Sequence, residues 1–231
     1  QNCPVPVSHL GEPLRFHCEQ LQRDVLIVPG LTCTREDGNP DIMRGEELEL
    51  AGWATHFPRS SLGRHLVCLP GTHSKWALIE DGHIIRFQTG LVGELFAALL
   101  CSSVLVPHGT PRADVPGESF KQGVLDGAGE NASILHQFIS VRSRQVVGDD
   151  SPTDAIERLS GLIIGADIRG ALDLFREKID SPVFVIGAPA ITQRYLAALT
   201  SMGVTSAQLS SGEAALAGFA AVAQKYQLET P

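Results

Sequence analysis

The 231-residue sequence has few aromatic residues, little positive charge and no long hydrophobic run. Phe, Trp and Tyr make up 6% of the chain, too few for a platform that stacks nucleic-acid bases. Lys and Arg number 18 against 26 Asp and Glu, giving a formal charge of −8. No Lys/Arg cluster breaks that balance, which argues against a nucleic-acid partner, since such proteins carry a basic face. The five cysteines, Cys3, Cys18, Cys33, Cys68 and Cys101, are odd in number, widely spaced and without a CxxC pair. That pattern argues against a disulfide framework and a structural zinc site, and fits reduced thiols in a cytoplasmic protein. The eight histidines show neither HxxxH nor HExxH spacing, so no metal ligands are expected. The longest apolar stretch, LFAALL at 95–100, is far shorter than the ~20 residues of a membrane span. No basic segment followed by an apolar one opens the chain, so no signal peptide is expected. The first residue is Gln1 in place of Met, which suggests a processed, trimmed or fragmentary chain.

What is present reads as a mixed α/β protein. At 43% hydrophobic and 19% charged residues, the chain can bury a substantial core, as one large domain or two small ones. VLIV at 25–28, ended by Pro29-Gly30, reads as a buried strand. Residues 32–39 are polar and loop-like. Residues 45–55 read as a helix, with Glu46, Glu47 and Glu49 at its positive end. An antiparallel meander follows: strands at 66–69, 75–79 and 83–88, the last two joined by a tight Glu80-Asp81-Gly82 turn. Residues 93–104 turn helical. Residues 108–129 carry many glycines and prolines and suggest a surface loop or a lid of broken helices. Helices are expected at 131–147 and 153–177, a buried strand at 183–186, and a helix at 191–202 stopped by Gly203. The last helix, 211–224, is Ala-rich, capped by Ser210 or Ser211, with Glu213 in its first turn.

Three segments could carry chemistry. The strand-turn-strand LVCLPGTHSKW at 66–76 exposes backbone N–H groups and hydroxyls at a turn of small residues. Such a turn suits an anion such as phosphate, with Lys75 adding charge. An ordinary hairpin turn explains the same residues, and the Walker A pattern is absent. PDIMRGEE at 40–47 places acids and an arginine where a loop enters a helix. A carboxylate there could act as a general base, and Arg44 could clamp a carboxylate. Helix capping and surface ion pairing are the plainer explanation. Finally, glycines follow apolar runs at LIIGA (162–166) and VIGAP (185–189), allowing close approach of a ligand or of another helix.

Together these segments resemble the 2-dehydro-3-deoxygalactonokinases, sugar-acid kinases of the actin/hexokinase-like ATPase superfamily. PDIMRGEE resembles the family's PDVMRGEE, and LPGTHSKW at 69–76 matches its LPGTHSKW. FQTGLVGELFAALLCSSVL at 87–105 resembles F.TG.TGELFALL..HSVL, with Cys101 where the family tends to have His. LSGLIIGA at 159–166 resembles the start of LSGLLIGAE. The likeness runs from about residue 25 onward. It implies a fold of two ribonuclease-H-like lobes with ATP between them. Residues 1–63 would be the remainder of the first, substrate-side lobe, and residues 64–231 the second lobe. The family's DWGTT-type hairpin, which places metal and phosphate, has no counterpart here, so an incompletely ordered, fragmentary or truncated chain is expected. The implied reaction is transfer of a phosphoryl group from ATP, with Mg2+, to the 6-hydroxyl of 2-dehydro-3-deoxy-D-galactonate. Gly71, Thr72, His73, Ser74 and Lys75 would contact phosphate, and Gly165, Gly187 and Ala188 would serve the nucleotide. Glu46 or Asp41 would be the base, with Arg44 and Glu47 on the sugar acid. No metal-ligating protein residue is implied. The partners would be the sugar acid and ATP, with no nucleic acid or membrane and with a homo-oligomer left open. The alternatives are a kinase of the same fold for another 2-keto-3-deoxy sugar acid, or an inactive nucleotide- or sugar-binding fragment.

Overall fold

The computed structural model describes residues 1–58, 62–130, 133–175 and 182–226. The first strands are β1 (Val5–Pro6), β2 (Leu14–Cys18), β3 (Arg23–Ile27), β4 (Leu31–Thr34) and β5 (Pro40–Met43). Helix α1 (Glu46–His56) leads to the meander β6 (Arg64–Leu69), β7 (Ser74–Glu80) and β8 (His83–Gly90). Four helices follow: α2 (Val92–Ser102), α3 (Glu118–Gly127), α4 (Ile134–Val147) and α5 (Pro152–Leu174). The chain then runs through β9 (Val183–Gly187), α6 (Pro189–Ser201), β10 (Ser206–Ser210) and α7 (Ser211–Lys225).

A six-stranded sheet in the order β1-β8-β7-β6-β9-β10 forms the centre. The meander strands are antiparallel, while β9 runs parallel to β6 and β10 parallel to β9. Counted from β6, the strand order is therefore 3-2-1-4-5. Alternation of side chains along each strand builds a core on both faces. Leu66, Cys68, Trp76, Leu78, Val183 and Val185 face one core, shared with buried residues of α3, α5 and α6. Val67, Leu69, Ala77, Ile79, Phe184 and Ile186 face the other, shared with Leu50 and Trp53 of α1 and Ala214 of α7. The result is three layers, helices on both sides of a sheet.

Strand β8 lies next to the short β1, which pairs only with His83 and Ile84. Further along, the β4–β5 hairpin covers the edge by side chains. Cys33 Sγ donates to the carbonyl of Phe87 at 3.3 Å, and the Thr89 N–H donates to Asp41 Oδ2 at 2.8 Å. An edge strand whose outward groups are met in this way offers no template for another strand.

Several expectations need correction. Residues 32–39 are not one loop, because β4 and β5 pair across them from Leu31↔Met43 to Thr34↔Pro40. Their alternating burial hides one side of a polar sequence, a signal too short to read as strand. The expected strand at 25–28 is the second arm of the β2–β3 hairpin, and it is half-buried. Inside the glycine-rich stretch 108–129 lies α3, whose glycines serve helix packing and not turns. Strand β10 went unrecognised because SAQLS has no apolar run. The helix expected at 153–177 is capped by Ser151 and Asp154, and its last two positions lie outside the described residues, as do the first two of 131–147. Ser210 caps α7, its hydroxyl accepting from Glu213 N at 3.2 Å. At the β7–β8 turn both Asp81 (φ 46) and Gly82 (φ 74) are left-handed, as a tight hairpin requires.

Candidate active site

The turn between β6 and β7 lies at the same end of the sheet as the C-terminus of β9. There a cleft of about 360 Å³ is lined by Glu46 and Glu49 of α1, Leu69 to His73, Ile186 to Ala188, and Ser211 at the start of α7. The structure thus brings together Glu46, Gly71, Thr72, His73, Gly187 and Ala188 from the sequence-expected set. No Lys or Arg is among the described residues lining it.

The turn is held from one side by α2. The Glu94 N–H donates to the Thr72 carbonyl at 2.9 Å, and Glu94 Oε2 lies 2.7 Å from His73 Nε2. Glu46, the first residue of α1, accepts from the Arg44 N–H at 3.0 Å and lines the cleft. Glu49, three residues on, shares that face of α1. Its Oε1 accepts from the Ser211 hydroxyl at 2.8 Å. Burial, aided by the Glu46 charge, raises the Glu49 carboxyl, while the Ser211 hydrogen bond opposes the shift. Glu49 and Ser211 carry no sequence signal of a site: Glu49 reads as part of the acidic start of a helix, and only the crossing of α1 and α7 brings Ser211 beside it.

Other expected site residues lie elsewhere. Asp41 is 8% exposed, and its carboxylate accepts from the Ile42 N–H at 2.8 Å, the Thr89 N–H at 2.8 Å and the Thr89 hydroxyl at 2.5 Å. Lys75, 6% exposed, turns away from the cleft and donates to the Ile42 carbonyl at 2.6 Å and to Thr89 Oγ1 at 2.7 Å. These contacts tie β5 to β7 and β8. Glu47 is 1% exposed, accepts from the Gly45 N–H at 2.6 Å, and is raised chiefly by burial. Arg44 is exposed and does not line the cleft. Ser74 is buried, its hydroxyl donating to Asp167 at 2.8 Å. Gly165 sits in the α3–α5 contact, 2.2 Å from the Val124 carbonyl at its Cβ position. Among the described residues no group of three or more His, Cys, Asp or Glu could hold a metal ion, and no helix is long and apolar enough to cross a membrane.

A three-layer α/β fold with two backbone turns and two carboxyls converging on one cleft is the class of protein defined so far. Comparison with known proteins narrows it. The family model for 2-keto-3-deoxy-galactonokinase matches residues 1–222, and the chain belongs to that family. A Rhizobium meliloti protein described as a 2-dehydro-3-deoxygalactonokinase is 35% identical over 207 residues, covering 88% of this chain and 65% of its own length. The Escherichia coli 2-dehydro-3-deoxygalactonokinase is 32% identical over 220 residues, covering 95% of this chain and 70% of its own. The chain thus spans about two thirds of the length of these relatives. A crystal structure of a Sinorhizobium meliloti protein assigned to the same activity superposes with a TM-score of 0.89 at 31% identity, covering 99% of this chain and 74% of that one.

Proposed function

We propose that this chain supplies the nucleotide-side part of an ATP-dependent kinase that phosphorylates 2-dehydro-3-deoxy-D-galactonate on its 6-hydroxyl. Family membership supports the reaction, and the observation that carries the site is the convergence of Glu46 with the Gly71–His73 and Gly187–Ala188 turns on one cleft. The 3-2-1-4-5 strand order from β6 supports a ribonuclease-H-like lobe of the actin/hexokinase type, to whose sheet and core β1 and α1 also contribute. On this reading the enzyme works in the cytoplasm, where its ATP is.

Phosphoryl transfer asks for positioning and charge neutralisation more than for covalent chemistry by the protein. The backbone of Gly71 and Thr72, with the Thr72 hydroxyl, holds the transferring phosphates, and Gly187 and Ala188 wall the nucleotide side of the cleft. Glu46 accepts the proton of the 6-hydroxyl as that oxygen attacks the γ-phosphorus and ADP departs. Glu46 is the better base because its carboxylate lines the cleft, whereas three donors occupy that of Asp41. Among the described residues the cleft contributes two carboxyls and no lysine or arginine, so a bare polyphosphate would meet repulsion. Magnesium prefers oxygen ligands and keeps most of its water, and Glu49 fits it as a water-shell partner. Bound with ATP, the ion would neutralise phosphate charge. Exposed Arg44, one residue from the head of α1, remains the candidate for the substrate carboxylate.

The test is ATP-dependent phosphorylation of 2-dehydro-3-deoxy-D-galactonate against a panel of related 2-keto-3-deoxy sugar acids, using wild type, Glu46→Gln and Asp41→Asn. Glu46→Gln should lower kcat about 10²- to 10⁴-fold with the protein still folded. Asp41→Asn should act mainly on stability. Failure of the wild type to bind ATP·Mg2+ would reject the proposal, and turnover of a different sugar acid in the panel would reject the substrate.

A further inference from the structure

Asp167 of α5 carries a carboxyl outside the cleft, and the mechanism above does not use it. It lines a separate groove of about 480 Å³ beside the tip of the β4–β5 hairpin. Its carboxylate gathers three donors from two other elements. Oδ1 accepts from the Ser74 hydroxyl at 2.8 Å. Oδ2 accepts from Trp76 Nε1 at 2.8 Å and from the Tyr195 hydroxyl at 2.8 Å. Ser74, Trp76 and Tyr195 are all buried.

The positions of these donors in the chain give the contact its meaning. Ser74 is the first residue of β7 and directly follows the Gly71–His73 turn, and Trp76 lies two residues further on. Tyr195 stands on α6, the helix that starts immediately after Gly187–Ala188. Each of the two turns that wall the cleft is therefore followed, one residue on for Ser74 and seven for Tyr195, by a side chain hydrogen-bonded to the same carboxylate. Charged acceptors bind neutral donors more strongly than neutral acceptors do, and a fully satisfied buried network fixes one geometry. Burial raises the Asp167 carboxyl, and the three donors pull it back toward the ionised form. An amide in its place keeps one oxygen for Trp76 and Tyr195 and turns an N–H₂ toward the Ser74 hydroxyl, so that bond reverses, the Ser74 O–H loses its acceptor and the charge that strengthens all three bonds is gone.

We propose that Asp167 is a positioning residue that fixes the Gly71–His73 and Gly187–Ala188 turns relative to each other. It sets the spacing between the part of the cleft that meets phosphate and the part that meets the nucleoside. This rests on the nucleotide reading of the cleft. Asp167 touches no substrate, so its loss should degrade nucleotide affinity and leave sugar-acid affinity alone.

The experiment compares Asp167→Asn with Gly161→Ala in the full chain. Gly161 lies on the same helix, and its Cβ position is 2.1 Å from the Phe120 carbonyl, so alanine there disturbs α5 packing away from the cleft. Hydrogen exchange is measured on the ligand-free proteins, and KM for ATP·Mg2+ and for the sugar acid is measured where each variant remains folded. Asp167→Asn should speed exchange of amides in both turns and raise KM for ATP·Mg2+ about tenfold, equivalent to about 1.4 kcal/mol. Its KM for the sugar acid should stay within about twofold. Gly161→Ala should lower Tm and leave the exchange of both turns unchanged. Tyr195→Phe removes one donor and should loosen the Gly187–Ala188 turn more than the other. Unchanged exchange at the turns in Asp167→Asn, or a profile matching that of Gly161→Ala, overturns the positioning role. Faster exchange at both turns in a protein whose wild type neither binds nor turns over ATP·Mg2+ supports the tie between the turns and overturns the nucleotide reading instead.

Discussion

The Cβ position of Gly165 on α5 points at the carbonyl oxygen of Val124 on α3, 2.2 Å away. No side chain fits there without moving a helix. Gly161, Gly123 and Gly127 make equally close approaches across the same contact, so backbone packs on backbone between the two helices. Gly165→Ala should destabilise the protein by about 1–3 kcal/mol, the usual cost of overpacking a close contact. Urea denaturation reads this directly. Loss of ATP affinity without loss of stability would return Gly165 to the ligand-binding role that its sequence motif suggests.

Lys75 offers the opposite comparison, a charged residue in a phosphate-like motif that serves the fold. Its ammonium donates to Ile42 O and Thr89 Oγ1, and Thr89 in turn donates to Asp41. Replacing it with methionine leaves the Ile42 carbonyl and Thr89 Oγ1 without that donor. Lys75→Met should cost about 1–3 kcal/mol of stability. A variant as stable as wild type but weakened toward ATP would mean that the side chain swings to the phosphates when nucleotide binds.

The contrast between these two residues shows what could be read from sequence. Strands β6 to β8 were legible because apolar runs and an Asp-Gly turn are local signals. Glu46, Gly71 to His73, Gly187 and Ala188 could be picked out because short motifs place them at element ends. The direction of a side chain was not legible. Lys75 and Ser74 are neighbours on one strand, yet one meets the β4–β5 hairpin and the other meets α5. Alternation along a strand assigns opposite faces, but only the packed fold says which face holds the site. Glu49 and Asp167 were passed over for a related reason. Their partners, Ser211 and Tyr195, are 162 and 28 residues away in the chain.

Gly93, in the first turn of α2, packs behind the Gly71–His73 turn. A Cβ there would lie 2.6 Å from the Gly71 carbonyl oxygen and 2.9 Å from Thr72 Cα. Gly93→Ala must therefore displace the turn or tilt α2. Small displacements of positioning groups carry large kinetic costs. The expected outcome is a rise of about tenfold in KM for ATP·Mg2+ with little change in KM for the sugar acid. Steady-state kinetics with each substrate varied in turn separates the two. A matching rise in both would show that the whole lobe has shifted.

Glu49 links the cleft to a pH dependence whose sign can be worked out. Burial raises its carboxyl in the folded protein above the value it has in the unfolded chain, and the Glu46 charge adds to the shift. Protons therefore bind the folded state more readily. Above the raised folded value Glu49 is ionised in both states, and its burial counts against folding in full. As pH falls through that value toward the ordinary carboxylate range, folded Glu49 protonates first and the penalty fades. Below the unfolded value it is gone. Glutamine carries no charge at any pH and can still accept from Ser211. Glu49→Gln should therefore stabilise the protein at neutral pH, by about 0.5 kcal/mol once solvent screening of a half-buried group is allowed for. The gain should shrink toward zero as the pH is lowered below the carboxylate range. Denaturation of wild type and variant from about pH 3 to pH 8 measures the difference. A gain that is the same at every pH would assign the effect to packing, because only a titrating carboxyl makes it vary. The same substitution removes an oxygen donor of negative charge from the cleft, so its KM for ATP·Mg2+ should rise while its stability improves. That opposition between stability and nucleotide affinity is expected of a carboxyl kept buried for a ligand.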